Sequence, residues 1–461
     1  MAVLRLDEIA RIAGGAILQG AAGLSVATYA IDSRLVAREG LFFAVPGRRD
    51  GHDFVADAAR RGAAAAIVAH PVPVADRAFG LVQVRDTATA LQALAHNVLS
   101  RRPVRVVGIT GSIGKTTTKE FAAALLAPRF RVLKSEGNYN NYLGLALTLL
   151  RLGPDEDAAV LEMGMSAPGE IRALTRVAPP DVAVITNVNP VHLQFFHNLE
   201  EIAQAKREIL DGAKPGAIAV LNGDDPLVMK IAAGFAGRRL TFGRGPACDI
   251  RAEQVASKGY AGYEFTLRYG KESGPVALPC VNEAAVANLL AAAGVCLSLG
   301  LGLAEILPGI GALKPFAMRG ALIEAGRGLR IYDDSYNSNP RALDAALRSL
   351  AVLPAARKVA VLADMLELGP GEKAFHRQAG ETVARTGWDV LVAVGPLADS
   401  IADGAAAAGM RPAAIHRFAD AAGVAAAIGC LVRDGDLVLV KGSRGMKTEA
   451  VVEALKARGK E

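Results

Sequence analysis

Residues 106–118 read Val-Val-Gly-Ile-Thr-Gly-Ser-Ile-Gly-Lys-Thr-Thr-Thr. An apolar strand meets a glycine-rich turn, and Lys-Thr-Thr opens a helix. Such a turn aims several backbone N–H groups and a helix N-terminus at one point, which suits a phosphate. Gly111, Ser112, Gly114 and Thr117 would form the cradle. Lys115 would reach the outer phosphates, and the Thr116 hydroxyl would help hold Mg²⁺. The spacing departs from the strict phosphate-loop pattern, because Ile109 stands where the first glycine belongs and Gly108 lies one residue earlier. An ordinary glycine turn before a helix is the plain alternative, yet packing alone has little use for Gly-Lys-Thr-Thr behind a strand.

Three further side chains are spaced to join this chemistry. Glu162 ends the apolar run in Val160-Leu161-Glu162-Met163-Gly164, where a hard carboxylate beside a phosphate loop suits Mg²⁺. A helix-capping or surface glutamate fits the same position. His192 follows Val184-Ile185-Thr186-Asn187-Val188-Asn189-Pro190-Val191 and offers a second metal position, although a lone loop histidine is more often structural or exposed. Two divalent ions would neutralise charge on a transferring phosphoryl group. Lys206 lies in the helical stretch 198–210, where Asn198 with Glu201 reads as a capping box. At about 100° per residue, Ile202, Ala205, Ile209 and Leu210 share a face with Lys206 in its middle, and Glu201, Gln204 and Glu208 lie opposite. An inward lysine needs a compensating partner or a stem that snorkels to water. Ser135-Glu136-Gly137-Asn138-Tyr139-Asn140-Asn141 offers amides for a polar ligand, or simply residues that turn the chain.

The elements that must position these groups follow from apolar periodicity. Strands are expected at 41–45 and 64–68, with a helix over 54–61 between them, and Arg101-Arg102-Pro103 reads as a linker. Further strands at 104–109, 158–161, 182–186 and 217–221 alternate with helical patterns. A third series at 358–363, 390–394 and 436–440 follows Lys314-Pro315. Strands alternating with helices predict parallel sheets covered on both faces, with ligands at the carboxyl ends of the strands. The expected fold is therefore α/β with three domains. Residues 1–102 form a smaller N-terminal α/β domain, 103–314 a central doubly wound, mostly parallel phosphate-loop domain, and 315–461 a C-terminal Rossmann-like domain.

Composition agrees. A chain of 461 residues suggests about three domains at roughly 150 residues each. Hydrophobic residues at 51% against charged residues at 21% describe a globular chain able to bury sizeable cores. The net charge of +6 is modest, and no basic patch interleaved with aromatics appears, which argues against nucleic acid. Cys248, Cys280, Cys296 and Cys430 lie far apart, so neither a zinc site nor a disulfide framework is indicated; reduced thiols in a cytoplasm are expected. Asp7 and Glu8 fall where a signal peptide needs an apolar run. The uncharged segment 284–304 has the length of a membrane span, but its Ala and Gly content and Asn288 favour a helix buried under a sheet.

Taken together, these motifs resemble the Mur ligase family, the ATP-dependent amide ligases of peptidoglycan precursor synthesis. Asp32-Ser33-Arg34 and Asp50-Gly51-His52-Asp53-Phe54 resemble its nucleotide-sugar domain. Glu136-Gly137-Asn138-x-Asn140-Asn141, Glu162-Met163-Gly164, Gly169-Glu170-Ile171, Thr186-Asn187, His192-Leu193 and Ala205-Lys206-x-Glu208-Ile209 match its central domain. Asp333-Asp334-Ser335-Tyr336-Asn337-Ser338-Asn339-Pro340, Asp364-Met365-Leu366-Glu367-Leu368-Gly369, His376 and Lys441-Gly442-Ser443-Arg444-Gly445 match its C-terminal domain. The last strings point to the branch whose substrates are UDP-N-acetylmuramoyl-tripeptide and D-alanyl-D-alanine, acting with ATP and Mg²⁺ as a monomer. The phosphate loop alone is shared with folylpolyglutamate synthases, whereas the Asp-Ser-Arg domain is not. A nucleotide-binding protein without ligase activity is the alternative of a different class.

The resemblance implies roles. Lys115 and Thr116 would hold ATP phosphates and Mg²⁺, with Glu162 and His192 as further metal ligands and Lys206 carbamylated beside them. Arg319 and Asp334 would reach nucleotide phosphate and ribose, Asn138, Asn141, Ser443 and Arg444 the peptide substrates, and Ser33 and Arg34 the uridine end. One departure stands out. Where the family shows His-Asn-x-x-Asn beside adenine, this chain has Ala284-Ala285-Val286-Ala287-Asn288 and keeps only the last asparagine.

Overall fold

The structure, a computed structural model, describes residues 2–191 and 193–459. Its largest sheet has nine strands, with Arg105–Thr110 held in parallel register between Ala158–Glu162 and Val182–Ile185. Helices cover both faces of these strands, so both sides of each pleat are buried and the runs read as continuously apolar. From Arg105–Thr110 the chain goes first to the edge strand Val132–Lys134 and back to Ala158–Glu162. It then crosses to Val182–Ile185 on the other side. That reversal opens a crevice at the carboxyl ends of the strands. The glycine-rich turn, Glu162 and Thr186 all emerge there.

The sheet continues in parallel through Ile218–Asn222, Arg238–Gly243 and Ile250–Ser257, then antiparallel through Tyr263–Tyr269 and Glu272–Leu278. The last strands alternate buried and exposed residues, with glycine, proline and charges interspersed, and present no apolar run to a sequence scan. The uncharged segment 284–304 is not one span. Helix Ala284–Ser298 lies against the nine-stranded sheet with Leu289, Ala291, Ala293 and Val295 fully buried, and a second helix begins at Leu303. No helix among the described residues is long and apolar enough to cross a membrane.

The N-terminal sheet has five strands in the order Ala16–Gln19, Gly80–Gln83, Ala65–Val68, Leu41–Phe43, Tyr29–Ala30, and every pairing but the first is parallel. Helix Thr87–Ser100, capped by the Asp86 carboxylate on the Thr89 N–H at 2.7 Å, packs on helix Tyr142–Leu150. One apolar cluster runs from Leu6 and Ile67 through Leu94 and Val98 to Leu145, Leu149 and Ile209. The stretch 101–103 is thus braced rather than free: Arg102 donates to the Gly153 carbonyl, and the His96 ring meets the Val177 carbonyl at 2.9 Å.

The C-terminal sheet has six strands in the order Ala321–Glu324, Arg330–Asp334, Asp436–Lys441, Arg357–Ala363, Val390–Val394, Ile415–Phe418, with only the first pair antiparallel. Separate apolar clusters cover its two faces. It touches the central unit through Tyr260 Oη on the Pro354 carbonyl at 2.7 Å and the Glu283 N–H on Ser349 Oγ at 3.3 Å.

Candidate active site

Strand Arg105–Thr110 delivers the chain into the turn 111–114, whose shape depends on two glycines. Gly111 has φ +146°, and a Cβ there would lie 1.8 Å from Thr186 Oγ1. Gly114 has φ +86°. Helix Lys115–Leu126 starts directly behind, with no side-chain cap, so its first amides remain unused. The following strand's loop braces the turn: Thr186 Oγ1 and Asn187 Nδ2 donate to the Ile113 carbonyl at 2.7 and 2.9 Å, and Ile113 N–H donates to Asn187 Oδ1 at 3.0 Å. Ser112 Oγ donates to the Asn189 carbonyl at 3.0 Å. Lys115 folds back so that Nζ donates to the Gly111 carbonyl at 2.8 Å. Burial holds its ammonium below the usual range, with Glu162 opposing that shift and Arg319 adding to it.

Glu162 is buried at its strand end and receives two donors, Thr116 Oγ1 at 2.8 Å and Asn140 Nδ2 at 3.0 Å. Its own N–H donates to Ser135 Oγ at 3.2 Å, and the buried Lys119 Nζ donates to the Ser135 carbonyl at 2.5 Å. A hydroxyl and a carboxylate side by side at the mouth of a phosphate loop are hard oxygen donors of the kind Mg²⁺ takes. Of the three asparagines in the 135–141 cluster, the one that meets Glu162 is Asn140, to which the resemblance assigns no substrate role. Asn141 instead caps helix Tyr142–Leu150 by accepting from Gly144 N–H at 2.9 Å, and Asn138 is exposed. Both line the cavity described below.

Lys206 is buried, as its helical face predicts, and among the described residues it has no hydrogen bond or ion pair. Desolvation, reinforced by the charge of Lys115, pushes its ammonium well below the ordinary lysine range. The face assignment needs one correction: Glu208, expected opposite, is buried too. Its carboxylate accepts from the N–H groups of Gly169 at 2.7 Å and Arg172 at 3.0 Å and so caps helix Glu170–Val177. Asn198 caps as expected, accepting from Glu201 N–H at 2.8 Å. His192 lies outside the described residues.

A cavity of about 1420 Å³ joins the central and C-terminal units. Ser112, Gly114, Lys115, Thr116, Thr117, Glu162 and Asn288 line it from one side, and Arg319, Asp334, Ser443 and Arg444 from the other. The Arg319 guanidinium lies over the Tyr336 ring at 4.0 Å, which keeps both at the cavity wall. Lys441, buried at its strand end, donates to Asp334 Oδ2 at 2.5 Å and to the Asn337 carbonyl at 2.9 Å. Ser443 Oγ accepts from Leu366 N–H at 2.9 Å, and Arg444 pairs with Glu449 at 2.7 Å. His376 is fully buried: Nε2 accepts from Met365 N–H at 2.8 Å, and the other ring nitrogen meets the Glu372 carbonyl at 2.7 Å, which fixes the loop carrying Leu366.

A phosphate loop and an asparagine-rich wall facing the carboxyl ends of a second parallel sheet narrow the possibilities, and comparison with known proteins decides between them. The Mur ligase middle domain matches residues 109–296, and the Mur ligase glutamate ligase domain matches residues 318–444. The UDP-N-acetylmuramoyl-tripeptide–D-alanyl-D-alanine ligase of Bacillus subtilis (strain 168) is 37% identical over 92% of this chain and 92% of its own length. The chain belongs to the Mur ligase family. Among solved structures, MurF from Acinetobacter baumannii superposes with a TM-score of 0.90 at 28% identity, covering 99% of each chain. The MurF ligase from Thermotoga maritima, solved in complex with ADP, superposes with a TM-score of 0.82 at 32% identity, covering 94% of this chain and 98% of that one.

Within this Mur ligase, Ser33 and Arg34 are set apart from the cavity. Ser33 Oγ donates to Asp57 at 2.8 Å, and Arg34 is exposed and paired with Asp32 at 2.7 Å. Nearby, Asp50, His52 and His70 are close enough to suggest a metal, but both His52 nitrogens are engaged. One meets Asp50 Oδ1 at 2.6 Å, and Nε2 accepts from Ala69 N–H at 2.8 Å. The trio reads as a hydrogen-bonded brace under a stacked histidine pair with centroids 4.0 Å apart.

Proposed function

We infer that this chain joins D-alanyl-D-alanine to UDP-N-acetylmuramoyl-tripeptide in peptidoglycan precursor synthesis. It is an ATP-dependent peptide ligase: its relatives are named as ligases of these substrates, and a solved relative carries ADP; a cytoplasmic location is part of this reading. The observation that carries the reading is the Thr116–Glu162 pair at the mouth of the phosphate loop, opening into a cavity whose far wall is the second sheet. ATP held there with Mg²⁺ would pass its γ-phosphoryl group to the tripeptide carboxylate, leaving ADP and an acyl phosphate, from which the dipeptide amine would displace phosphate to form the amide.

The residues divide the work. Activation brings a carboxylate onto a polyphosphate, so like charges must be offset. Lys115 and the free amides of Gly114 to Thr117 do this directly, while Thr116 and Glu162 offer oxygen ligands to Mg²⁺. His192 and a carbamylated Lys206 complete the metal set in this reading. The lysine's burial, with no counter-charge paired to it among the described residues, favours the neutral amine that reacts with CO₂. Arg319 and Asp334 reach the nucleotide from the opposite wall, Asn288 flanks it beside Gly114, and Asn138, Asn141, Ser443 and Arg444 face the peptides. Ser33 and Arg34 take the uridine end. We read the three larger sheets as three domains with boundaries near 102 and 314; closing the second and third over the cavity would keep water from the acyl phosphate.

Phosphate release with each substrate omitted in turn tests this. Release that requires ATP, the UDP-linked tripeptide and the dipeptide together, with amide product, is expected. Vigorous hydrolysis of ATP alone, with no amide from the full mixture, would overturn it.

A further inference from the structure

Lys119, Lys206 and Lys441 are the buried lysines among the described residues. Lys206 has its part in the proposed metal set, and Lys441 holds Asp334. Lys119 has no part in the proposed chemistry, yet it is wholly enclosed. Enclosing an ammonium is costly unless its donors are met, and here three groups surround it. Nζ donates to the Ser135 carbonyl at 2.5 Å and lies 3.2 Å from a carboxylate oxygen of Glu120. Phe316, in the segment that leads into the C-terminal unit, covers it with the ring centre 5.9 Å away.

The bond to Ser135 leads to Glu162. Glu162 is the last residue of strand Ala158–Glu162, and the neighbouring edge strand Val132–Lys134 pairs only with residues 158–160. The Glu162 N–H therefore lacks a ladder acceptor on that side, and Ser135 Oγ takes it at 3.2 Å. Ser135 also opens the loop that returns Asn140, whose Nδ2 donates to Glu162 Oε1 at 3.0 Å and whose carbonyl accepts from Gly164 N–H at 2.9 Å. A hydroxyl on a loop can hold a strand end only if the loop itself is held, and Lys119 holds it. Thr116 and Lys119 stand three residues apart in helix Lys115–Leu126 and so share a face. From that face Thr116 Oγ1 reaches the Glu162 carboxylate at 2.8 Å, and Lys119 reaches its backbone by way of Ser135.

We propose that Lys119 is a positioning residue for the Mg²⁺ carboxylate: by gripping Ser135 it fixes the backbone of Glu162 and the root of the loop that carries Asn140. This rests on the reading of Thr116 and Glu162 as Mg²⁺ ligands. Neither Lys119 nor Ser135 lines the cavity, so the effect reaches the metal only through Glu162 and Asn140, which do. Groups standing behind a metal ligand set how well it is aimed, and removing one commonly weakens metal binding by about tenfold or more.

The test is Mn²⁺ binding to the full chain, held in excess over ADP and followed by electron paramagnetic resonance, together with the Mg²⁺ dependence of turnover. The variants are Lys119→Met, Ser135→Ala and the two combined, with urea midpoints as the measure of general damage. Lys119→Met should weaken Mn²⁺ binding about tenfold. The Mg²⁺ concentration for half-maximal turnover should rise by a similar factor, with excess Mg²⁺ restoring most of kcat. The KM for the UDP-linked tripeptide and for the dipeptide should move less than about twofold. Ser135→Ala keeps the carbonyl that Lys119 holds and loses only the hydroxyl on Glu162, and it should weaken Mn²⁺ binding as well. The combined variant should be little worse than Lys119→Met, because two residues acting through one contact do not add. Lys119→Arg keeps a donor and should recover part of the loss; it takes the place of Lys119→Met if that variant does not fold. Any one of three results overturns the proposal: an unmoved Mn²⁺ affinity in Ser135→Ala, an unmoved affinity in the Lys119 variant despite a lower urea midpoint, or losses that multiply in the combined variant. If the unmodified chain with ADP binds no Mn²⁺, the metal reading falls and this proposal with it.

Discussion

Asn288 presses its side-chain oxygen onto the phosphate loop, so closely that a Cβ added at Gly114 would lie 2.1 Å from Oδ1. Asn288 stands in the first turns of helix Ala284–Ser298, and Ala284 and Ala285 on the same helix also line the cavity. In the proposed reading, bound nucleotide would meet one amide and two methyl groups on this helix.

Discrimination between ATP and GTP should accordingly be weak, because few polar groups remain to be left unpaired by the wrong base. Comparing kcat/KM for the two nucleotides checks this. A strong preference for ATP that vanishes in Asn288→Ala would show that one amide suffices, and a strong preference that persists would place base recognition elsewhere. Gly114→Ala should reduce activity severely even when combined with Asn288→Ala, since the positive φ at Gly114 strains any residue with a Cβ.

Lys115→Ala should lower kcat by about two to three orders of magnitude, the effect of removing one preorganised charge worth about 3–4 kcal/mol at a transition state. Phosphate release under saturating substrates measures it. Near-normal turnover would mean that the turn 111–114 does not hold the transferring phosphoryl group.

For Lys206, a carbamate and an ammonium make opposite predictions. Lys206→Ala should lose most activity, and short carboxylates added to the assay should restore part of it. Lys206→Arg keeps a positive charge but forms no such carbamate, so it should stay inactive. Substantial activity in Lys206→Arg, or an unmodified lysine in an active metal-bound complex, would defeat the carbamate.

The shared core of the N-terminal and central units makes a stability prediction. Leu94→Ala removes a fully buried side chain where helix Thr87–Ser100 serves both units. It should cost about 2–5 kcal/mol. Urea unfolding should show the N-terminal and central signals moving together, whereas a shift in the N-terminal signal alone would mean that the two units unfold independently.

Glu208→Ala should destabilise by about 1–3 kcal/mol by stranding the Gly169 and Arg172 amides at the start of helix Glu170–Val177. Glu208→Gln should cost less because it keeps an acceptor. Midpoints from the same urea curves decide, and equal losses in both variants would assign the effect to the charge instead.

The phosphate loop was legible because its parts are contiguous: the strand, two glycines, Lys115 and Thr116 act within one turn of chain, and local geometry alone aims them. The parallel strands were legible for a similar reason, since burial on both faces writes an unbroken apolar run into 158–162, 182–185 or 390–394. Helical periodicity correctly turned Lys206 inward. What periodicity could not say is which groups stand opposite a face. Glu208 is buried because amides near residue 170 await it, Asn140 meets Glu162 while Asn141 caps the helix that follows, and Ser33 is tied to Asp57. Those outcomes depend on pairings between segments separated in the chain. Residue type and spacing determined which chemistry this protein can perform. The tertiary structure alone decided which donors find acceptors, because an unmet hydrogen bond or charge is defined only by what the folded chain brings, or fails to bring, within reach.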